Sequence, residues 1–328
     1  MNGGRAFRVI DGHTHVASMH FIPPEFIAGA AANMAAASEM SSGMRLSAAQ
    51  IQAVLQAQYA DDYADDMVRA MDLAGVAQSV LLVPDFTQVL ACELSIEEMA
   101  LRHHQIRQRH PGRFYVFQGI DPRRGRAAVE FFESTILDYG FEGLKLYPPC
   151  GYSPSDPELF PFYEVCRDYG LPVLLHTGPT SPVLEFEFAQ PALIDRAARE
   201  FPKVRFILAH GGVNNTEEAA LLCAYRPNVY LDIAGFQSAM HPQGWKQHLS
   251  GLFAMGISHK IIFGTDWPLS GLTMSLQRCV AELTEDGGPL AGRPMSEIEA
   301  VMGGNIERLL RQRIDSSSRL GQKATELL

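Results

Sequence analysis

Residues able to bind a metal ion or move a proton fall at a few places in this 328-residue sequence. His13 and His15 stand one residue apart in VIDGHTHV, His176 closes LPVLLHT, His210 closes VRFILAH, Asp266 closes KIIFGTD, and Lys145 lies within GLKLYP. Imidazole and carboxylate are the ligands of a mixed nitrogen–oxygen site for zinc and related divalent ions. Side chains two apart on a strand share a face, so an H-x-H pair offers two imidazoles to one ion. Asp11 shares that face one step deeper. Each residue alone has a plainer role. A lone strand-end histidine is commonly just hydrogen-bonded, and an aspartate before Trp-Pro could cap the next helix. The joint pattern decides. Several separate apolar runs end in the right residue types, which points to a divalent-metal site in which His176 and Asp266 close what His13 and His15 begin, with one position open to water.

The elements that must position these residues are short, apolar and rich in β-branched side chains. Eight such runs recur: FRVIDGH, SVLLVP from Ser79, FYVFQGI from Phe114, GLKLYP from Gly143, LPVLLHT from Leu171, VRFILAH from Val204, VYLDIAG from Val229 and KIIFGTD from Lys260. They read as strands buried on both faces, as in a parallel sheet. Helical stretches separate them. DDYADDMVRAMDLAG stops at Gly75, SIEEMALRHHQIRQRHPG opens on a Ser95/Glu98 capping box, and PELFPFYEVCRDYG and QPALIDRAAREFP end at Gly170 and Pro202. Strand–helix units in unbroken series predict an α/β fold, a (β/α)8 TIM barrel, whose chemistry sits at the C-terminal strand ends. An open doubly wound sheet is the alternative, but no G-x-G-x-x-G follows the first strand. The whole chain, 1–328, reads as a single domain. One segment, about 20–59, breaks the rhythm: rich in Ala, Met and Ser, it is too long for a simple connection and reads as a helical insertion after strand 1, a lid or a subunit contact. The tail, about 312–328, is polar with a short apolar end.

Composition narrows the functional classes. With 47% hydrophobic residues and 20% charged, the chain can bury a large core. A net charge of -10 argues against nucleic acid or an anionic membrane surface as partner. No apolar run approaches the roughly 20 residues of a membrane span, and the N-terminus lacks the apolar centre of a secretory signal. Cys92, Cys150, Cys166, Cys223 and Cys279 form no C-x-x-C pair, which suits reduced thiols and a cytoplasmic location.

DGHTH, LLHTG, ILAHGG and IIFGTDWP together resemble the amidohydrolase superfamily, nearest its amidohydrolase-related branch of aminocarboxymuconate-semialdehyde decarboxylase-like enzymes. GGNIERLL from Gly303 resembles that branch's closing helix, so the resemblance spans Val9 to about Leu310. It implies His13, His15, His176 and Asp266 as metal ligands, with Asp266 also handling a proton, and His210 as catalytic acid/base or substrate polariser. Zinc is the metal implied first, manganese second. Two-metal relatives bridge their ions with a carboxylated lysine on strand four. Lys145 there reads as such a bridge, as an anchor for a substrate carboxylate, or as a structural lysine. Tyr147 and Tyr152 in the loop beyond, and His20 and His241 after strand ends, are further candidates for substrate contact. Asp232 could be a buried support. His103, His104 and His110, on a charged helix, read as solvated.

Bound metal lowers the pKa of water toward ~7. The expected activity is therefore metal-dependent hydrolysis of an amide, ester or lactone in a small, carboxylated cyclic or aromatic substrate. Non-oxidative decarboxylation of a small aromatic or unsaturated acid is the close alternative, and an inactive barrel acting as a binding subunit the remote one. A homodimer built on the insertion is the expected assembly.

Overall fold

The computed structural model describes residues 7–42, 46–237 and 244–314. All eight apolar runs become parallel strands of one sheet, paired in chain order. They are β1 (Val9–Thr14), β2 (Val76–Leu82), β3 (Phe114–Gly119), β4 (Gly143–Leu146), β5 (Pro172–Leu175), β6 (Arg205–Leu208), β7 (Val229–Asp232) and β8 (Ile261–Ile262). The last strand is short, and the chain beyond it completes the ring. Gly12 N–H donates to the Phe263 carbonyl at 2.8 Å, Asp266 N–H to that of His13 at 2.9 Å, and His15 N–H to that of Trp267 at 2.7 Å. The molecule is a (β/α)8 barrel.

Two apolar layers follow from the alternation of the strands. Ile10, Val80, Leu82, Phe117, Leu174, Ile207 and Ile262 pack together as an inner cluster. The opposite faces pack against the surrounding helices in a larger one. Burying each such side chain contributes about 1.5–3 kcal/mol. The insertion supplies α1 (Pro24–Ser42) and α2 (Ala48–Ala57), and α3 (Asp65–Ala74) leads into β2. Then α4 (Ile96–Arg109), α5 (Arg126–Asp138), α6 (Phe160–Tyr169), α7 (Asp195–Glu200), α8 (Thr216–Tyr225), α9 (Trp245–Ala254) and α10 (Leu276–Thr284) follow β2 to β8 in turn. The capping box of Ser95 and Glu98 opens α4, and Gly75 ends α3 at φ 70°, where a side chain would be strained.

The chain ends in α11 (Met295–Glu299), a π turn over Ala300–Gly304, and α12 (Asn305–Leu310). Ile306, Leu309 and Leu310 of α12 join the inner cluster beneath the strands. Gly303 permits this: a Cβ there would lie 2.5 Å from the Arg8 carbonyl oxygen. Asn305 Nδ2 donates to the carbonyls of Ser258 and Ile261, each at 2.7 Å, tying the plug to β8. The tail beyond residue 314 lies outside the described residues. Among those described, no helix is long and apolar enough to cross a membrane.

The insertion is helical as expected, and its root is stitched to the barrel. Ser18 and Ala60 form an antiparallel bridge, Asp61 N–H donates to the Ala17 carbonyl at 2.7 Å, and Ser18 Oγ donates to Asp62 at 2.5 Å. One expectation on the flank is corrected. His103 is not solvated but 1% exposed, its ring 4.7 Å from that of Phe21 and its Nδ1 donating to the Met99 carbonyl at 2.7 Å. Burial lowers its pKa to about 4. His104 stacks on Tyr139 at 4.5 Å, and His110 Nε2 donates to the Tyr63 carbonyl at 2.9 Å. The helix is charged on its outer face, but α4 turns His103 inward with Met99 and Ile106.

Candidate active site

Strand ends deliver most of the predicted residues to one place. His13 comes from β1 and His15 follows it; Asp232 ends β7; His210 and Asp266 follow β6 and β8. Only four described non-glycine residues have φ in the left-handed region, and His210 (φ 60°) and Asp266 (φ 61°) are two of them. Such backbone costs about 1–3 kcal/mol per residue and persists where its surroundings impose it.

Each imidazole of the cluster is held by one nitrogen. His13 Nδ1 pairs with Asp232 Oδ2 at 2.8 Å, His15 Nδ1 with the Leu82 carbonyl at 2.9 Å, and His210 Nδ1 with the Ala234 carbonyl at 3.1 Å. The acceptors assign the hydrogen to Nδ1 and leave Nε2 as the free position. His176 is held the other way, Nε2 facing the Pro179 carbonyl at 3.1 Å, which leaves Nδ1 free. Asp232 does more than orient His13, since it also accepts the backbone N–H of His210 at 2.8 Å and of Ala234 at 3.0 Å. Asp11 ties β1 to the end of β8 by accepting Thr265 Oγ1 at 2.6 Å, and burial raises its pKa to about 7.

The free nitrogens converge on Asp266. His13 Nε2 and His15 Nε2 each lie 3.5 Å from its Oδ1, and the ligand atoms of His13, His210 and Asp266 lie within 4.8 Å of one another. His176 stands beside this group, its ring 4.8 Å from that of His210. Thus His210, expected as an acid/base, sits inside the candidate metal cluster, and His176 at its margin. Burial lowers the pKa of His15 to about 3 and of His210 to about 4, and that of His176 well below the usual value. These rings are uncharged at neutral pH and present lone pairs. For Asp266, burial favours the neutral acid, but nearby positive charge, the Lys145 ammonium included, outweighs it, so its pKa is lowered.

That arrangement fits a cation. The His15 lone pair faces a carboxylate oxygen at 3.5 Å, and the buried His13 Nε2 has no hydrogen bond among the described residues. Both are unfavourable until something positive lies between them.

Lys145, on β4, is 1% exposed and its Nζ has no hydrogen-bond partner among the described residues. It lies 5.5 Å from the centre of the Tyr147 ring. Burial lowers its pKa to about 8, against the pull of Asp232 and Asp266. It is not among the residues that line the cavity.

The cavity above the cluster measures about 560 Å³. His15, His176, His210 and Asp266 form its floor; Ile22, Phe26, Ile27 and Leu55 of the insertion roof it, with Phe86 and Leu269 at the sides. Tyr147 lines it too, stacked on His176 at 4.3 Å, its hydroxyl 2.8 Å from Thr180 Oγ1. Tyr152 does not line it. Its hydroxyl accepts the Tyr147 N–H at 2.7 Å and so steadies the loop. His20 lies away from the cavity, its Nδ1 2.7 Å from Glu93. His241 falls outside the described residues. Sequence reading left Asp232 without a definite task, although its place at the end of a strand run marked it. It missed Tyr59, which lines the cavity from the foot of the insertion and carries no local signal.

The family model described as amidohydrolase matches residues 10–312. The chain belongs to the amidohydrolase family. No curated protein matches the chain in sequence. Solved structures share its fold. An uncharacterised TIM-barrel protein from Bordetella bronchiseptica is 22% identical, with a TM-score of 0.65 over 93% of this chain and 99% of that one. A dihydroxybenzoic acid decarboxylase from Polaromonas sp. JS666, with bound manganese and the inhibitor 2-nitroresorcinol, is 16% identical, with a TM-score of 0.61 over 93% and 97%. A 5-carboxyvanillate decarboxylase from Sphingomonas paucimobilis is 15% identical, with a TM-score of 0.59 over 93% and 99%.

Proposed function

We propose that this member of the amidohydrolase family is a metal-dependent, non-oxidative decarboxylase of a small aromatic acid. One observation carries the reading: the floor of imidazoles and carboxylate opens into a cavity whose walls are mostly apolar and aromatic. A flat ring buries its faces against such walls, and a carboxylate on the ring meets the floor. The similar decarboxylases are named for dihydroxybenzoic acid and 5-carboxyvanillate, both aromatic acids, which favours decarboxylation over the hydrolysis expected first from sequence.

His13, His15, His176 and Asp266, with His210 among them, would hold the ion, zinc or manganese. When bound, it supplies Lewis acidity and a positive charge that draws in the substrate carboxylate. The chain's own residues handle the proton. The ring carbon bearing the carboxylate gains a proton, its bond to the carboxylate carbon breaks, that electron pair returns to the ring, and carbon dioxide leaves. Asp266 is the floor group suited to deliver the proton. Asp266, ionised at rest, takes it from the acid's own hydroxyl or from solvent. His210, with Nδ1 committed to Ala234, offers only the Nε2 lone pair, which would hold the ion or accept a proton rather than deliver one. The apolar walls favour turning a charged carboxylate into uncharged carbon dioxide.

Hydrolysis is the second reading, and Lys145 favours it. Its unpartnered Nζ lies on strand four, where two-metal relatives carry the bridging lysine. One assay tests both readings. Manganese- and zinc-loaded protein is given hydroxybenzoic acids, lactones and amides, and carbon dioxide and hydrolysis products are followed together. Carbon dioxide matched by the decarboxylated arene is expected; a hydrolysis product without carbon dioxide overturns the reading.

A further inference from the structure

The foot of the insertion places one more polar group in this cavity. Tyr59 is 6% exposed and lines the cavity beside His15, Leu55 and Asp266. The other hydroxyls on the wall are spoken for: those of Tyr147 and Thr180 bond each other at 2.8 Å, and Ser181 Oγ donates to the Phe26 carbonyl at 2.8 Å. The Tyr59 hydroxyl has no hydrogen-bond partner among the described residues. Burial, with the Asp266 charge nearby, raises its pKa, so it stays protonated and has a hydrogen to donate. Its backbone is not free to drift. Tyr59 N–H donates to the Gln56 carbonyl at 2.9 Å, and the next residue, Ala60, is bridged to Ser18.

We infer that Tyr59 is a positioning residue that donates its hydroxyl hydrogen bond to a second oxygen of the bound acid, one adjacent to the carboxylate. The inference rests on the reading that an aromatic acid occupies this cavity. A carboxylate seated on the floor by Asp266 brings an ortho oxygen of the same ring toward Tyr59. A ring without that oxygen leaves the hydroxyl unpaired in an apolar wall, which is costly. The insertion then selects by polarity as well as by shape, and its selecting atom comes from the stitched root rather than from the helices.

The test is calorimetric and independent of turnover. Manganese-loaded protein and its Tyr59→Phe variant are titrated with 2-hydroxybenzoate and with benzoate. The variant is expected to bind 2-hydroxybenzoate about 10-fold more weakly, as one lost hydrogen bond implies, and benzoate within about 2-fold of the unaltered protein. An unchanged melting temperature would show that the fold is intact, as expected for a hydroxyl with no partner. Equal losses for both acids, no loss for either, or failure of the unaltered protein to bind either acid overturns the inference. If the discrimination holds while no carbon dioxide is released from any acid, the decarboxylase reading falls and Tyr59 keeps its place.

Discussion

The floor and the roof of the cavity are held in opposite ways. In and just behind the floor, the imidazoles have their backs against fixed acceptors: His13 on Asp232, His15 on the Leu82 carbonyl, His210 on the Ala234 carbonyl. Apart from Asn33, the roof helices meet the cavity through apolar side chains, and their outer surface carries apolar groups into solvent, Met40 at 88% and Val54 at 56% exposure. Directional bonds fix atoms, whereas apolar packing fixes only a shape. The contrast assigns chemistry to the floor and choice of ligand to the roof.

The largest expected effect tests the floor. Asp232→Asn keeps the shape but removes the charge that holds His13 and the His210 backbone. Metal affinity should fall 10- to 100-fold, as is typical when a ligand loses its orienting carboxylate, at roughly this scale. Manganese titration of the purified variant measures it, with carbon dioxide release at limiting metal following the same curve. Affinity equal to that of the unaltered protein would mean that Asp232 does not organise the floor, and the contrast would lose its basis.

A roof variant should behave differently. Phe26 lines the cavity, its ring centroid 5.2 Å from that of Phe86. Phe26→Ala removes contact area worth on the order of 1–2 kcal/mol to a bound ring, so KM should rise about 10-fold. The kcat should stay within about 2-fold, because no floor atom moves. Steady-state kinetics separate the two. A fall in kcat as large as the rise in KM would show the roof taking part in the chemical step and would erase the distinction.

The same contrast governs what the sequence discloses. The floor was legible because period-2 strands must end somewhere, and polar residues at the ends of buried runs such as LPVLLHT and KIIFGTD have few other reasons to be there. The closing helix was legible through GGNIERLL, whose Gly303 packs against β1. Which nitrogen each histidine frees was not legible, since this depends on carbonyls from other strands. The left-handed turn at His210 that carries it into the cluster was also hidden. The roof could be placed but not read: an Ala- and Met-rich stretch predicts helix without saying what it covers. Tyr59 was passed over and His103 misread for one reason. A side chain's neighbours across the fold, not along the chain, decide whether it is solvated.

The smallest expected effect lies at the seam between the two regions. His103 on α4 packs against Phe21, where the insertion leaves the barrel. Its native pKa is about 4, below the value near 6.5 of an unfolded chain. The native state therefore refuses a proton that the unfolded state accepts. Stability present above pH ~6.5 is lost as the pH falls toward 4, and by pH 5.5 the loss from this one group is about 1 kcal/mol. His103→Leu removes the titration and keeps an apolar contact with Phe21. Between pH 7.5 and 5.5 the unaltered protein should lose about 2 °C more in melting temperature than the variant, while kcat at pH 7.5 stays the same for both. Equal acid sensitivity would place the weak point elsewhere on the barrel. A lowered kcat at pH 7.5 would show that the seam reaches the floor, and that the roof is less separate from the chemistry than its apolar contacts imply.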